Sequence, residues 1–289
     1  MGAGTAWAVL AIVALGVPHG ALDVEIGRTL LRPRFPRAWF PLFAGPYLLL
    51  VALVLLAWRV APETSLAVFL LLSVWHFGLE DAPAGGLEAL ARGGLPVAVP
   101  ALAQPDATAR LLSAIAGVPL DGLPSWLAGG SVLWLVPAAL WALSELRNRR
   151  GRGLLLAAGL CTAFVLLPPL AAFTLYFVGV HAPAHTAALV RHPTRAPRAT
   201  TSAAAWRLAA PATALTVLIG GALWPVTPGP WPDRLLCVTF QLLGALTVPH
   251  MLLDAWLERR DHASAARATP RRASTVRASA SPVMASGVP

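Results

Sequence analysis

Residues 5–26 read TAWAVLAIVALGVPHGALDVEI, an apolar run long enough to cross a bilayer as one helix, with a histidine lodged in it. Its motif Pro18-His19-Gly20-Ala21-Leu22-Asp23 is echoed near the far end by Pro249-His250-Met251-Leu252-Leu253-Asp254. Between them stand His76-Phe77-Gly78-Leu79-Glu80-Asp81 and His181-Ala182-Pro183-Ala184-His185. Each carries a histidine with an acid, or a second histidine, four residues on, a spacing that puts both groups on one face of a helix. Polar groups at membrane depth are costly and usually functional, so the pattern points to a site.

The composition supports a membrane chain. Of 289 residues, 57% are hydrophobic and only 12% charged, with mean hydropathy +0.67. A soluble domain carries about a quarter charged residues. The net charge of +9 comes from arginine alone, and these arginines sit in the gaps between apolar runs. Membrane topology explains that placement, which excludes a nucleic-acid partner. Cys161 and Cys237 lie inside apolar segments and read as small buried hydrophobes. The first apolar run lacks a basic leader, so no cleavable signal peptide is expected.

Nine candidate spans follow: 5–26, 39–60, 64–80, 87–104, 125–145, 153–168, 169–190, 206–225 and 234–257. The expected fold is therefore all-α, a polytopic transmembrane helical bundle of about 8–9 spans over residues 1–258. The fourth span, with Arg92, Gly93, Gly94, Pro96 and Pro100, is expected to be weak, re-entrant or broken. Pro168-Pro169 marks a turn. Residues 259–289, rich in Ala, Ser, Arg and Pro without periodicity, read as a disordered tail.

Arginine placement gives the orientation. With the N-terminus outside and the C-terminus inside, the gaps 27–38, 81–86, 146–152 and 191–205, the tail, Arg92 and Arg207 are cytoplasmic. Only Arg59, Arg110 and Arg234 fall on the other side, as the positive-inside rule requires. The expected location is the bacterial cytoplasmic membrane. Every intramembrane histidine then rides an odd-numbered span. His19 and His250 each precede an arginine by nine residues, about 13 Å above it at 1.5 Å per residue. His181 and His185 lie at about 15 and 9 Å by the same rise, and His76 is close to its cytoplasmic span end. The histidines converge on one layer in the inner half of the membrane, the arrangement a bundle-core metal site requires.

Neutral imidazoles bind iron, zinc, copper or nickel. A ligating histidine usually gives its other N–H to a carboxylate or carbonyl, and Asp23, Glu80, Asp81 and Asp254 are candidates for that task or for ligation itself. His250 either joins the ligands or sits beside them. Pro183 is expected to distort the turn between His181 and His185. Phe77, Phe173, Tyr176 and Phe177 flank the histidines and are candidates for the wall of a cavity for a long apolar substrate.

Taken in order, Pro18-His19-Gly20-Ala21-Leu22-Asp23, Trp75-His76-Phe77-Gly78 with Asp81, Tyr176-Phe177 leading into His181 and His185, and Pro249-His250 resemble the Brp/Blh family of integral-membrane β-carotene 15,15'-dioxygenases. The resemblance covers nearly the whole chain except the tail. It implies a non-haem Fe(2+) held by His19, His76, His181 and His185, with O2 as co-substrate. It further implies scission of the central double bond of β-carotene into two all-trans-retinal molecules, and a functional link to a microbial rhodopsin. Family members often carry Ser and Arg between the last two ligands, where this chain has Ala182-Pro183-Ala184.

Other classes fit less of the pattern. A membrane fatty-acid hydroxylase or desaturase needs more histidine boxes than the single HxxxH present. A bis-histidine haem carrier leaves most of the histidines unexplained. The remaining alternatives are a degenerate relative that binds carotenoid or retinal or aids rhodopsin maturation, and a transporter, for which the Pro-His echo would be a trace of repeat symmetry.

Overall fold

A chain inside a bilayer has no water to satisfy its backbone, so each crossing must close its own hydrogen bonds. The computed structural model describes residues 2–82, 85–149, 151–192 and 194–268, with side chains through 260, and these residues form helices and no strands. In chain order they are α1 (Gly2–Leu31), α2 (Trp39–Val60), α3 (Pro62–Asp81), α4 (Gly86–Ala103), α5 (Pro105–Ala116), α6 (Ser125–Arg147), α7 (Gly151–Leu166), α8 (Pro169–Arg191), α9 (Ser202–Val226) and α10 (Trp231–Ala268). The chain is an all-α polytopic bundle. Seven of these helices, α1, α2, α3, α6, α8, α9 and α10, are long and apolar enough to cross a membrane. Large apolar side chains such as Leu49, Leu71, Leu133, Leu155 and Leu218 cover the outside, as lipid contact demands.

The other two expected spans, α4 and α7, are also helices. α4 is one continuous helix rather than a broken one, although Pro96 and Pro100 lie within it. It is packed against α3, α6 and α7 and buried along most of its second half. A Cβ on Gly93 would fall 2.1 Å from the Val74 carbonyl oxygen, and one on Gly78 would fall 2.6 Å from that of Ala89. Two backbones approach this closely only through glycine, the usual device where membrane helices cross. Trp134 of α6 donates Nε1–H to the Leu90 and Ala91 carbonyls at 3.0 and 3.1 Å. Arg92 pairs with Glu88 at 2.9 Å. The residues that made this segment look unlike a span are facing protein.

α5 was not among the expected segments. Pro105 and Asp106 open it and Gly117, at φ +74°, closes it, which are ordinary helix start and stop signals. It buries Thr108, Ala109, Leu112, Ile115 and Ala116. Gln241 of α10 donates to its terminal Ile115 and Ala116 carbonyls at 3.2 and 3.3 Å. Pro168-Pro169 is the expected turn: α7 stops at Leu166, Pro169 opens α8, and Gln104 caps the freed carbonyls of Phe164 and Leu167 at 2.9 and 2.7 Å.

Contacts divide the chain into one unit ending at Met251 and a second beginning at Leu252. In the second unit α10 continues to Ala268, so residues 259–268 are helical rather than a tail from 259 onward. Alanine at 263, 265, 266 and 268 explains the extension, since it is the strongest helix former. The rest of the expected tail, 269–289, lies outside the described residues.

Candidate metal centre

The site is built where two helices leave regular α geometry. In α1 a π-helical turn, Ile12–Gly16, leads into a 3-10 stretch, Val17–Leu22, that carries Pro18 and His19. In α8 a second π turn, Phe177–His181, ends on a histidine. Such turns release backbone groups from the regular ladder and are frequent at functional sites. The two irregular turns meet each other. A Cβ on Gly16 would fall 2.3 Å from the Phe177 ring, so glycine lets the two turns pack this closely. His19 Nδ1 donates to the Gly16 carbonyl at 2.5 Å. Pro183 does not break α8, because it falls in the first turn of the α-helical stretch that follows the π turn.

α1, α3, α8 and α10 bring five histidines together. The ring centroid of His19 lies 5.2 Å from His181, 5.4 Å from His185 and 6.1 Å from His250. That of His76 lies 5.1 Å from His181 and 5.4 Å from His250. His19, His76, His181 and His250 are buried, and His181 is wholly enclosed. One ring nitrogen from each of His19, His76 and His181 falls within 4.8 Å of the others, as do donor atoms of His76, Glu80 and His250. His185 belongs to neither trio, but its Nε2 is buried without a hydrogen-bond partner, and so is that of His181. A buried polar atom left unpaired is costly, and two imidazole lone pairs at one centre are what a metal ion satisfies.

The opposite ring nitrogens are held. His181 Nδ1 lies 3.1 Å from Asp81 Oδ1, and the Tyr176 hydroxyl donates to the other oxygen of Asp81. His250 Nδ1 lies 2.9 Å from Asp23 Oδ1, and the Tyr47 hydroxyl donates to Asp23 Oδ2 at 2.9 Å. Both tyrosines of the chain thus serve an aspartate that serves a histidine. His185 Nδ1 lies 2.8 Å from Glu80 Oε2. Glu80 also approaches His76 at 3.3 Å, His250 at 3.4 Å and His181 at 3.6 Å. Fixing Nδ1 on an acceptor leaves Nε2 as the lone-pair donor, the usual preparation of a histidine ligand.

The four-residue spacing is therefore only partly a pairing rule. Glu80 does face His76, but Asp23 turns away from His19 to His250, and a carbonyl takes its place. Asp254 belongs to the second unit. Tyr47 was missed altogether. The available signal was a phenol in the middle of the apolar run 39–60, which needs a partner once buried.

A cavity of about 290 Å³ reaches the site. His19, His76 and His250 form part of its wall, with Asp23 and Tyr47 beside them. The rest is almost all apolar and includes Phe77, Phe173 and Phe177. Tyr176, expected on this wall, is not on it. It stands behind His181, because its hydroxyl is committed to Asp81.

Known proteins bear on this geometry. A family profile described as beta-carotene 15,15'-dioxygenase matches residues 10–258. The beta-carotene 15,15'-dioxygenase of uncultured marine bacterium 66A03 is 28% identical over 274 residues, covering 88% of this chain and 94% of the relative. The probable beta-carotene 15,15'-dioxygenase Blh of Halobacterium salinarum is 29% identical over 289 residues, covering 87% and 83%. No solved structure matches the chain.

Proposed function

Because the chain belongs to the beta-carotene 15,15'-dioxygenase family, we propose that it is the enzyme of that name, an iron-dependent dioxygenase that cleaves β-carotene at its central double bond. The observation that carries the iron reading is the pair of buried Nε2 atoms of His181 and His185 that lack a hydrogen-bond partner, set among His19 and His76. These four neutral imidazoles are the proposed ligands. A ferrous ion bound by them supplies activation of dioxygen beside the polyene.

The chain's own residues do the rest. Gly16, Asp81 and Glu80 fix the Nδ1 atoms of His19, His181 and His185 and so aim Nε2 inward. Tyr176 and Tyr47 hold Asp81 and Asp23 in place. His250, between Asp23 and Glu80, faces the cavity beside the ligands. The apolar wall takes up the hydrocarbon, excludes water and presents one double bond to the site. The reaction balances without an external reductant. The central C=C bond breaks, two C=O bonds form, and both atoms of O2 leave in the two aldehydes. A substrate dissolved only in lipid explains why the site lies in a membrane bundle. In the proposed orientation the N-terminus is outside the bacterial cytoplasmic membrane, and the retinal supplies a microbial rhodopsin.

Expression in a β-carotene-accumulating bacterium, followed by chromatography, tests the proposal. Loss of carotene with gain of retinal is expected. Well-expressed protein that yields no retinal would overturn it in favour of a carotenoid-binding relative.

A further inference from the structure

A second, smaller space of about 70 Å³ adjoins the cavity and shares four of its wall residues, Phe69, Ser73, Phe77 and Phe173. Beyond them it is lined from α4, α5 and α6 by residues that include Val97, Leu112 and Leu127. The shared side chains stand between two apolar spaces and form a divider. Phe69, Ser73 and Phe77 are four residues apart along one face of α3, and His76 adjoins that face toward the C-terminal end of the helix. A double bond held at His76 therefore has the larger chamber on one side and the divider on the other.

Building on the proposed cleavage reaction, we propose that the divider, with Phe69 as its key residue, sets which carotenoids the enzyme accepts by limiting the length of the second arm. A symmetric C40 carotene centred on the site carries twenty carbons each way. The chambers are unequal, about 290 against 70 Å³. The larger chamber receives a ring-bearing arm, and the opposite arm must enter the smaller one past Phe69. The Phe69 ring lies against Gly244, where a Cβ would come within 2.9 Å of it, and is tilted over Trp58 at 6.1 Å. Phe77 and Phe173 also pack on other rings of the site, Phe77 on His181 and Phe173 stacked on Phe177. Phe69 is the aromatic member of the divider whose ring contact, with Trp58, lies away from the other rings of the site. A carotenoid with one intact ring and the other arm shortened by ten carbons makes far less demand on the small chamber.

The test is equilibrium binding to the purified full chain in detergent without oxygen, read from the polyene absorption band. The ligands are β-carotene and the shortened carotenoid. Val97→Phe, which fills the small chamber, is expected to weaken β-carotene binding about tenfold and leave the shortened ligand nearly unchanged, the usual scale for a changed hydrocarbon group in an apolar pocket. Phe69→Leu, which thins the divider, is expected to shift the ratio in the opposite direction. Equal shifts for both ligands, or none, in either folded variant would overturn the divider. Binding that shows the expected ratios in a protein that forms no retinal would overturn the dioxygenase reading alone. Retinal formation with unchanged ratios would overturn the divider alone.

Discussion

Asp23 accepts from His250 at 2.9 Å across 227 residues of sequence, and not from His19, four residues away on its own helix. This contact joins the first helix of the bundle to the last, and the Tyr47 hydroxyl secures it from α2. Removing the charge while keeping the shape isolates its role. Asp23→Asn is expected to keep iron bound, since His19, His76, His181 and His185 are intact. Retinal formation is expected to fall about 10- to 100-fold, the usual effect of losing a partner that orients a metal-site histidine. Metal analysis beside a cleavage assay checks this, and complete loss of iron would show that His250 is itself an essential ligand.

The Tyr176–Asp81–His181 chain is the counterpart around a proposed ligand. Here Asp81→Asn is expected to lower iron affinity by about 10- to 100-fold, and Tyr176→Phe to do so less. Titration of the iron-free protein with Fe(2+) measures both. Unchanged affinity in Asp81→Asn would mean that His181 is not held through this carboxylate.

His19→Ala, His76→Ala, His181→Ala and His185→Ala are each expected to lose bound iron together with cleavage. The informative comparison is with His192→Ala, outside the cluster, which should keep both. If His185→Ala retains full iron, the ligand set is the compact trio of His19, His76 and His181 with a different fourth member.

Close approach at two glycines, one to backbone and one to a side chain, bears on the stability of the scaffold. Gly93→Ala places a methyl 2.1 Å from a backbone oxygen that has no rotamer to yield, whereas Gly16→Ala meets the Phe177 side chain at 2.3 Å. Overpacking of this kind costs about 1–3 kcal/mol where a side chain can adjust, and more where it cannot. Thermal unfolding in detergent should rank wild type above Gly16→Ala above Gly93→Ala. The reverse order of the two variants would mean that α3 and α4 separate more easily than the two π turns.

The bundle and its histidine layer were legible because hydrocarbon makes both conspicuous: long apolar runs must be helices, and imidazoles inside them demand an explanation. His19, His76, His181, His185 and His250 do converge. What sequence spacing could not supply was partner choice between helices. One helix face cannot tell that Asp23 will reach α10 or that Glu80 will stand among His76, His181, His185 and His250. Hydropathy undervalued α4, because a helix packed on protein can carry Pro96, Pro100 and a Glu88–Arg92 pair that lipid would reject. It overlooked α5, which is short and amphipathic, although Pro105, Asp106 and Gly117 marked its ends. Tyr47 lies inside the apolar run 39–60, where hydropathy registers the ring and not the hydroxyl that reaches Asp23.

The most direct test combines purified protein, Fe(2+), β-carotene and O2 in detergent, with simultaneous measurement of oxygen uptake and products. Two molecules of all-trans-retinal per β-carotene lost and per O2 consumed are expected, with none from iron-free protein or His76→Ala. Bound but intact β-carotene, or aldehydes of unequal length from an off-centre cut, would contradict the assignment.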